Sequence, residues 1–172
     1  MERIIEKWGI SCLFHFTDRS NLKNIEKYGL LSLEKIKSNN ITINCFGAND
    51  WSHDADRRKE LHRYVHLSFK RNHPMLYKKK QSGEIKDPVI LTICPSVMLD
   101  QDTLFTADVS NKSGVSTFKF ELFEDKIDCE VLFTRTNWKD EIIKKRLKQA
   151  EKSEILISNH IPWSKVIEVK NG

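Results

Sequence analysis

Two residues in this chain are placed where they could do chemistry. His15 lies inside Cys12-Leu13-Phe14-His15-Phe16-Thr17, a segment otherwise apolar up to its terminal Thr. Glu154 stands directly ahead of Ile155-Leu156-Ile157. A histidine on such a strand is commonly a core residue satisfied by a hydrogen bond, and a lone glutamate can simply mark a strand end. The functional reading is a polar ring at a strand end that feeds a helix, where backbone groups face a ligand. Glu154 would then be a carboxylate fixed by a rigid strand, able to stabilise a developing cation. Glu151 and Glu168 are its nearest competitors.

A third feature is electrostatic. Residues 57–80 carry nine cations (Arg57, Arg58, Lys59, Arg63, Lys70, Arg71, Lys78, Lys79 and Lys80) against one anion, Glu60, whereas the whole chain nets only +5. Cations beside His73, Met75 and Tyr77 suit a phosphate chain with surfaces on which bases can stack. A solvated basic loop is the plainer alternative, and Glu84 and Asp87 dilute the cluster. No serine or cysteine occupies a nucleophile-elbow pattern, and neither a glycine-rich phosphate loop nor an HExxH pair is present. Hydrolases of those types are excluded.

These residues need elements to hold them. The 12–17 segment reads as a short buried strand. A helix follows from Asp18 to Tyr28, with Asp18 or Ser20 as cap, Leu22 and Ile25 at helical spacing, and Gly29 as a left-handed stop. Residues 39–53 read as loop. Tyr64 to Phe69 alternates as a strand does, and Pro88 to Pro95 reads as a central strand bounded by prolines. Thr117 to Phe123 fits a strand or a helix. Lys139 to Lys152 predicts the clearest helix, with Ile143, Leu147 and Ala150 on one face. Two strands follow, Glu154 to Ser158 and Lys165 to Val169, around Ile161-Pro162-Trp163. Helices beside a strand-rich centre predict an α+β fold.

The chain has 172 residues, enough for one domain with a substantial core, and no repeat or linker divides it, so a single domain over 1–172 is expected. Hydrophobic residues make up 39%, with no run long enough to span a membrane. Glu2, Arg3, Glu6 and Lys7 interrupt any apolar leader. Cys12, Cys45, Cys94 and Cys129 lie too far apart for a zinc pattern and read as reduced core or near-core thiols. The expectation is a soluble cytoplasmic protein, with no membrane contact and no metal.

An ordered set of segments then acquires meaning. Phe14-His15-Phe16-Thr17, Ser20-Asn21-Leu22, Ile25 and Gly29-Leu30-Leu31 resemble the opening of DarT-type DNA ADP-ribosyltransferases. So do Asp56-Arg57-Arg58, Tyr64 to Phe69, and His73-Pro74-Met75-Leu76-Tyr77. A Lys-rich helix, Glu154-Ile155-Leu156-Ile157, Ile161-Pro162-Trp163 and Val166-Ile167 complete the series in the family's order.

The resemblance implies an ADP-ribosyltransferase fold, with two small packed β-sheets forming an NAD cleft and helices flanking them. It implies transfer of ADP-ribose from NAD, the co-substrate, to a base of single-stranded DNA, with release of nicotinamide. Phe14, His15 and Phe16 would hold the nicotinamide amide, with Thr17 and Leu31 lining the pocket. Glu154 matches the catalytic glutamate, and Arg58 or its neighbour Arg57 matches the arginine that contacts NAD and helps deprotonate the base. An arginine is normally always protonated, so that last role needs unusual tuning or a water relay. Met75, Tyr77, Lys78, Lys79 and Lys80 would meet DNA. Asn111 takes the place of the His or Asn that follows a Phe-Thr-Asp segment in relatives, here Phe105-Thr106-Ala107-Asp108.

That departure, and the altered Asp128-Cys129-Glu130-Val131-Leu132 segment, leave the target base open. The family implies a toxin or phage-defence effector, monomeric, beside a macrodomain antitoxin. RNA as substrate and a catalytically silent binding module are the alternatives.

Overall fold

The structure is a computed structural model that describes residues 2–43 and 60–172. After helix α1 (Glu2–Lys7), strand β1 (Leu13–Asp18) runs into a 3₁₀ turn, Arg19–Asn21, and helix α2 (Leu22–Tyr28). Strand β2 (Leu30–Leu31) and helix α3 (Leu33–Ser38) follow. Beyond residue 60 come β3 (Tyr64–Ser68), α4 (Pro74–Gln81), β4 (Pro88–Ile93) and β5 (Leu104–Thr106). Two short helices, α5 (Phe123–Lys126) and α6 (Cys129–Phe133), precede α7 (Glu141–Ala150). The chain closes with β6 (Glu154–Ser158), β7 (His160–Ile161) and β8 (Val166–Asn171).

Six strands form one antiparallel sheet in the order β5-β6-β3-β1-β4-β8, and β2 pairs with β7 in a second, two-stranded sheet. The two expected sheets are thus present and unequal in size. In the main sheet β6, late in sequence, lies between β5 and β3, so the Glu154 strand is interior. Ile155, Leu156 and Ile157 are all buried there, which accounts for a continuous apolar run rather than an alternating one. Ile155 and Ile157 join Val65, Leu67, Leu91 and Ile93 in the core. Phe105, Phe118, Phe120 and Phe123 pack edge to face and stacked beneath β5, with ring centroids 5.1–6.2 Å apart.

Several expectations are corrected by this arrangement. Residues 117–123 form neither one strand nor one helix: Phe118 makes a single bridge to Phe105, and the chain then turns through a 3₁₀ segment into α5. Four phenylalanines converging on one spot favour a folded-back chain over an extended one. β4 is interior but next to the edge, since β8 covers its outer side. Residues 44–53, within the expected loop, lie outside the described residues, whereas the α3 helix, which periodicity did not suggest, is capped by Ser32 accepting from Lys35 N–H.

Two local devices join the small sheet and the start of α2 to the rest. Gly29 has φ 78° and ψ −179°, extended rather than helical left-handed, a region that side chains essentially never adopt. A Cβ there would lie 2.4 Å from the Ile161 carbonyl, so the residue lets β2 and β7 approach. Asp18, at the end of β1, accepts at Oδ1 from the Ser20 N–H and hydroxyl, and at Oδ2 from the Lys86 and Asp87 N–H groups. Burial pushes its carboxyl up, but the Asp87, Ser20 and Lys86 donors outweigh that and hold it at about 2.

Gly29→Ala is expected to cost about 3 kcal/mol or more, from strain plus the backbone clash. Gly83→Ala, also at positive φ but with open space around it, is expected to cost about 1 kcal/mol. Urea unfolding midpoints compare the two. Asp18 has a depressed folded pKa, so its stabilisation is complete above 3.8 and is lost as pH falls from there through about 2. Unfolding measured across that window should show the loss in the wild type and a flatter profile in Asp18→Asn.

Candidate active site

The register between β3 and β6 sets the centre of the site. Ser68 lies opposite Glu154 and His66 opposite Leu156, so His66 and Glu154 are diagonal neighbours on one face of the sheet. His66 Nδ1 is 3.2 Å from Glu154 Oε2. From the other side of β6, Thr106 of β5 pairs with Glu154, and the loop beyond it brings the Ser110 N–H to the same Oε2 at 3.2 Å. The Ser110 hydroxyl lies 3.2 Å from His66 Nδ1. Gln149 of α7 donates to the Ala107 carbonyl and ties that loop to the helix leading into β6.

Glu154 is buried, 7% exposed, yet it is an ionised group. Burial pushes its carboxyl up, but the hydrogen bond and charge of His66 and the Ser110 donor bring it below the ordinary glutamate value. His73 stands as the N-cap of α4, its Nδ1 accepting from the Met75 N–H, while its ring stacks on Phe16 at 6.3 Å. Its Nε2 is 4.0 Å from Glu154 Oε1. The Lys152 carbonyl also faces this ring, without hydrogen-bond geometry, so Nε2 is buried with no hydrogen-bond partner among the described residues. Burial lowers the His73 pKa against the pull of Glu154, which keeps the ring neutral.

Glu154 opens onto a cavity of about 270 Å³ that both sheets line. Of the residues singled out from sequence, Phe14, His15, Phe16, Thr17, Leu31, Met75, Asn111 and Glu154 all contribute to its walls. His15 Nδ1 donates to the His66 carbonyl at 3.0 Å, and burial lowers its pKa, so the ring is neutral. Thr17 accepts from Asn21 Nδ2. Ile25, Leu30, Leu33, Ile36 and Ile41 make the rest of the cavity strongly apolar towards α2 and α3. The competitors fall away: Glu168 is exposed on the edge strand and paired with Lys170, and Glu151 lines no part of the cavity. Arg57 and Arg58 lie outside the described residues.

The basic segment is less available than its composition suggests. Arg57, Arg58 and Lys59 fall outside the described residues. Arg63 pairs with Glu34, Lys70 donates to the Leu132 carbonyl, and Arg71 donates to the Asn171 carbonyl. Lys79, expected to meet DNA, is corrected: it is 4% exposed and paired with Glu84 at 2.5 Å. On α4 it faces inward because it follows Leu76 by three residues, on the buried side. Tyr77, Lys78 and Lys80 are exposed on the same helix.

Sequence reasoning left His66 and Ser110 without a role and read His73 as a stacking surface beside the basic run, whereas it is buried against Phe16. The alternation in Tyr64-Val65-His66-Leu67 does set His66 opposite to the core face, but nothing local pairs it with a residue 88 positions away. Among the described residues no group of three or more His, Cys, Asp or Glu side chains could hold a metal ion, and no helix is long and apolar enough to cross a membrane.

A family model described as DarT, ssDNA thymidine ADP-ribosyltransferase, matches residues 14–170. Among solved structures, Thermus sp. 2.9 DarT in complex with ADP-ribosylated ssDNA is similar with a TM-score of 0.70 at 20% identity, over 94% of this chain and 81% of that one. Thermosipho africanus DarTG in complex with ADP-ribose gives 0.66 at 20% identity over 92% of this chain, which spans only 43% of that one. Thermus sp. 2.9 DarT in complex with NAD+ gives 0.61 at 20% identity, over 93% and 81%. At this identity the likenesses establish the fold. No curated protein sequence matches the chain.

Lys79→Ala, which removes the buried cation from Glu84 and leaves it the Ser82 hydroxyl, is expected to lower stability by about 2 kcal/mol. Lys78→Ala and Lys80→Ala should each stay within about 0.5 kcal/mol of the wild type. Urea denaturation of the three variants checks the inward placement of Lys79.

Proposed function

The chain belongs to the DarT family of ssDNA thymidine ADP-ribosyltransferases, and on that premise we propose that it moves ADP-ribose from NAD to a thymine base through Glu154. The observation that carries this assignment is a buried carboxylate held by the His66 and Ser110 donors at the wall of a cavity lined by both sheets. The bond between the nicotinamide nitrogen and ribose C1′ breaks with its electron pair leaving on nicotinamide. Positive charge then grows on the ribose, and Glu154 stabilises it in a site where water screens little. A nitrogen of the base forms the new bond to C1′, and its proton passes to water.

The backbone of Phe14, His15 and Phe16 would hold the nicotinamide amide, beside Thr17 and Leu31. An arginine, Arg58 or Arg57, is assigned by the resemblance to NAD contact and to the fate of the base's proton. Met75 and Asn111, both on the cavity wall, are proposed to meet the target base and its neighbours. Tyr77, Lys78 and Lys80, exposed on α4, would follow the DNA chain, with tyrosine offering a stacking face and lysines meeting phosphates. In the cell we place the chain in the cytoplasm as a monomeric toxin of a toxin–antitoxin or phage-defence system, opposed by a macrodomain. The likeness to a DarTG structure supports that pairing.

Incubation with NAD and mixed single-stranded DNA and RNA oligonucleotides, read by intact mass, tests the assignment. The expected result is a gain of one ADP-ribose on thymidine-containing DNA only, and fragmentation places it on the base. Glu154→Gln should keep the fold and lower turnover by at least about 100-fold. Undiminished turnover in that variant, or adducts on RNA alone, would overturn the reading.

A further inference from the structure

The two oxygens of Glu154 are not equivalent. Oε2 has donors from two elements, His66 Nδ1 on β3 and the Ser110 N–H in the loop beyond β5, each at 3.2 Å. Among the described residues Oε1 has only His73 Nε2 at 4.0 Å, beyond hydrogen-bond reach. The His66 ring is itself gripped at its far side, where Nε2 lies 3.3 Å from the Leu61 carbonyl in the 3₁₀ turn before β3. Both acceptors require N–H groups, so the doubly protonated ring is the form that fits.

Other groups surround it. His15 of β1 donates to the His66 carbonyl, and the Ser110 hydroxyl approaches Nδ1. The Leu61 carbonyl in the turn before β3 and the Ser110 hydroxyl therefore hold this ring, and His15 of β1 fixes the backbone that carries it. Its only carboxylate partner among the described residues is Glu154.

We propose that His66 is a positioning residue for the transfer reaction: it holds Oε2, together with the Ser110 amide, so that Oε1 is the oxygen presented to the ribose. This rests on the reading of Glu154 as the catalytic carboxylate. A glutamate freed from His66 would rotate about its side-chain torsions and spend part of its time away from the productive geometry, which lowers the rate more than the binding of NAD. His66 is assigned to act through the carboxylate, so its effect belongs in kcat.

The test compares His66→Ala, His66→Asn and His66→Gln with the wild type, using NAD and thymidine-containing single-stranded DNA and following nicotinamide release. An asparagine amide can occupy the place of Nδ1, whereas a glutamine amide reaches towards Nε2. His66→Ala should lose about 10- to 100-fold in kcat with KM for NAD changed by less than about twofold. His66→Asn should recover most of that loss, and His66→Gln should not. Thermal unfolding of the three variants separates these effects from loss of fold, because the Asn and Gln variants share polarity and differ in where the N–H sits. If the wild type turns over and His66→Ala matches it, the proposal is wrong. It is equally wrong if Asn and Gln are impaired alike, or if the loss falls on KM. A wild type that releases no nicotinamide overturns the reading of Glu154 itself, and the role of His66 with it.

Discussion

A charged carboxylate sits almost out of reach of water at the start of an interior strand, and much of the architecture follows from making that position tolerable. Taking a carboxylate out of water costs several kcal/mol unless donors replace the lost solvent. Here the replacements come from β3 through His66 and from the loop beyond β5 through Ser110, while His73 at the start of α4 lies 4.0 Å from the other oxygen. None of the three is a neighbour of Glu154 in sequence. Only a strand between β5 and β3 can receive donors from both sides, and the order of the main sheet puts β6 in that place.

The same constraint explains why the sheet is rigid where the chemistry is placed. Behind Glu154, Ile155 and Ile157 insert into the core, and the phenylalanine cluster supports β5. The carboxylate is therefore mounted on packed secondary structure, which holds a reacting group more closely than a loop does. The opposite wall of the cavity is built differently. There β2 and β7 form only a two-residue pairing, allowed by the missing side chain at Gly29, and α2 and α3 bring apolar residues towards the opening. The polar chemistry and the apolar cradle thus come from different sheets.

Charge in this molecule is distributed by folding rather than by composition. The basic run in 57–80 promises an extended cationic surface, but Lys79 turns inward to Glu84, and Lys70 and Arg71 are used to hold backbone carbonyls. What α4 leaves to solvent is narrower: Tyr77, Lys78 and Lys80. An eight-residue helix places consecutive residues about 100° apart, so three adjacent lysines cannot all share one face.

Much of the fold was legible in the amino-acid order. The strands around His15, Val65, Ile90 and Ile155, the helix of Ile143 and Leu147, and the turn at Gly29 follow from local periodicity and from glycine's freedom to take positive φ. The candidate site was legible in part: His15 and Glu154 stand out because polar groups beside apolar runs need a reason, and both line the cavity. Strand order and register were not legible, because pairing couples residues far apart and a slip of one position would reverse every face. That is why His66, His73 and Ser110 acquire their relation to Glu154 only in three dimensions, and why Lys79 is a structural cation while its neighbours are exposed. Local sequence determines which segments are strands and helices; the competition among all of them to bury apolar surface decides which polar groups meet.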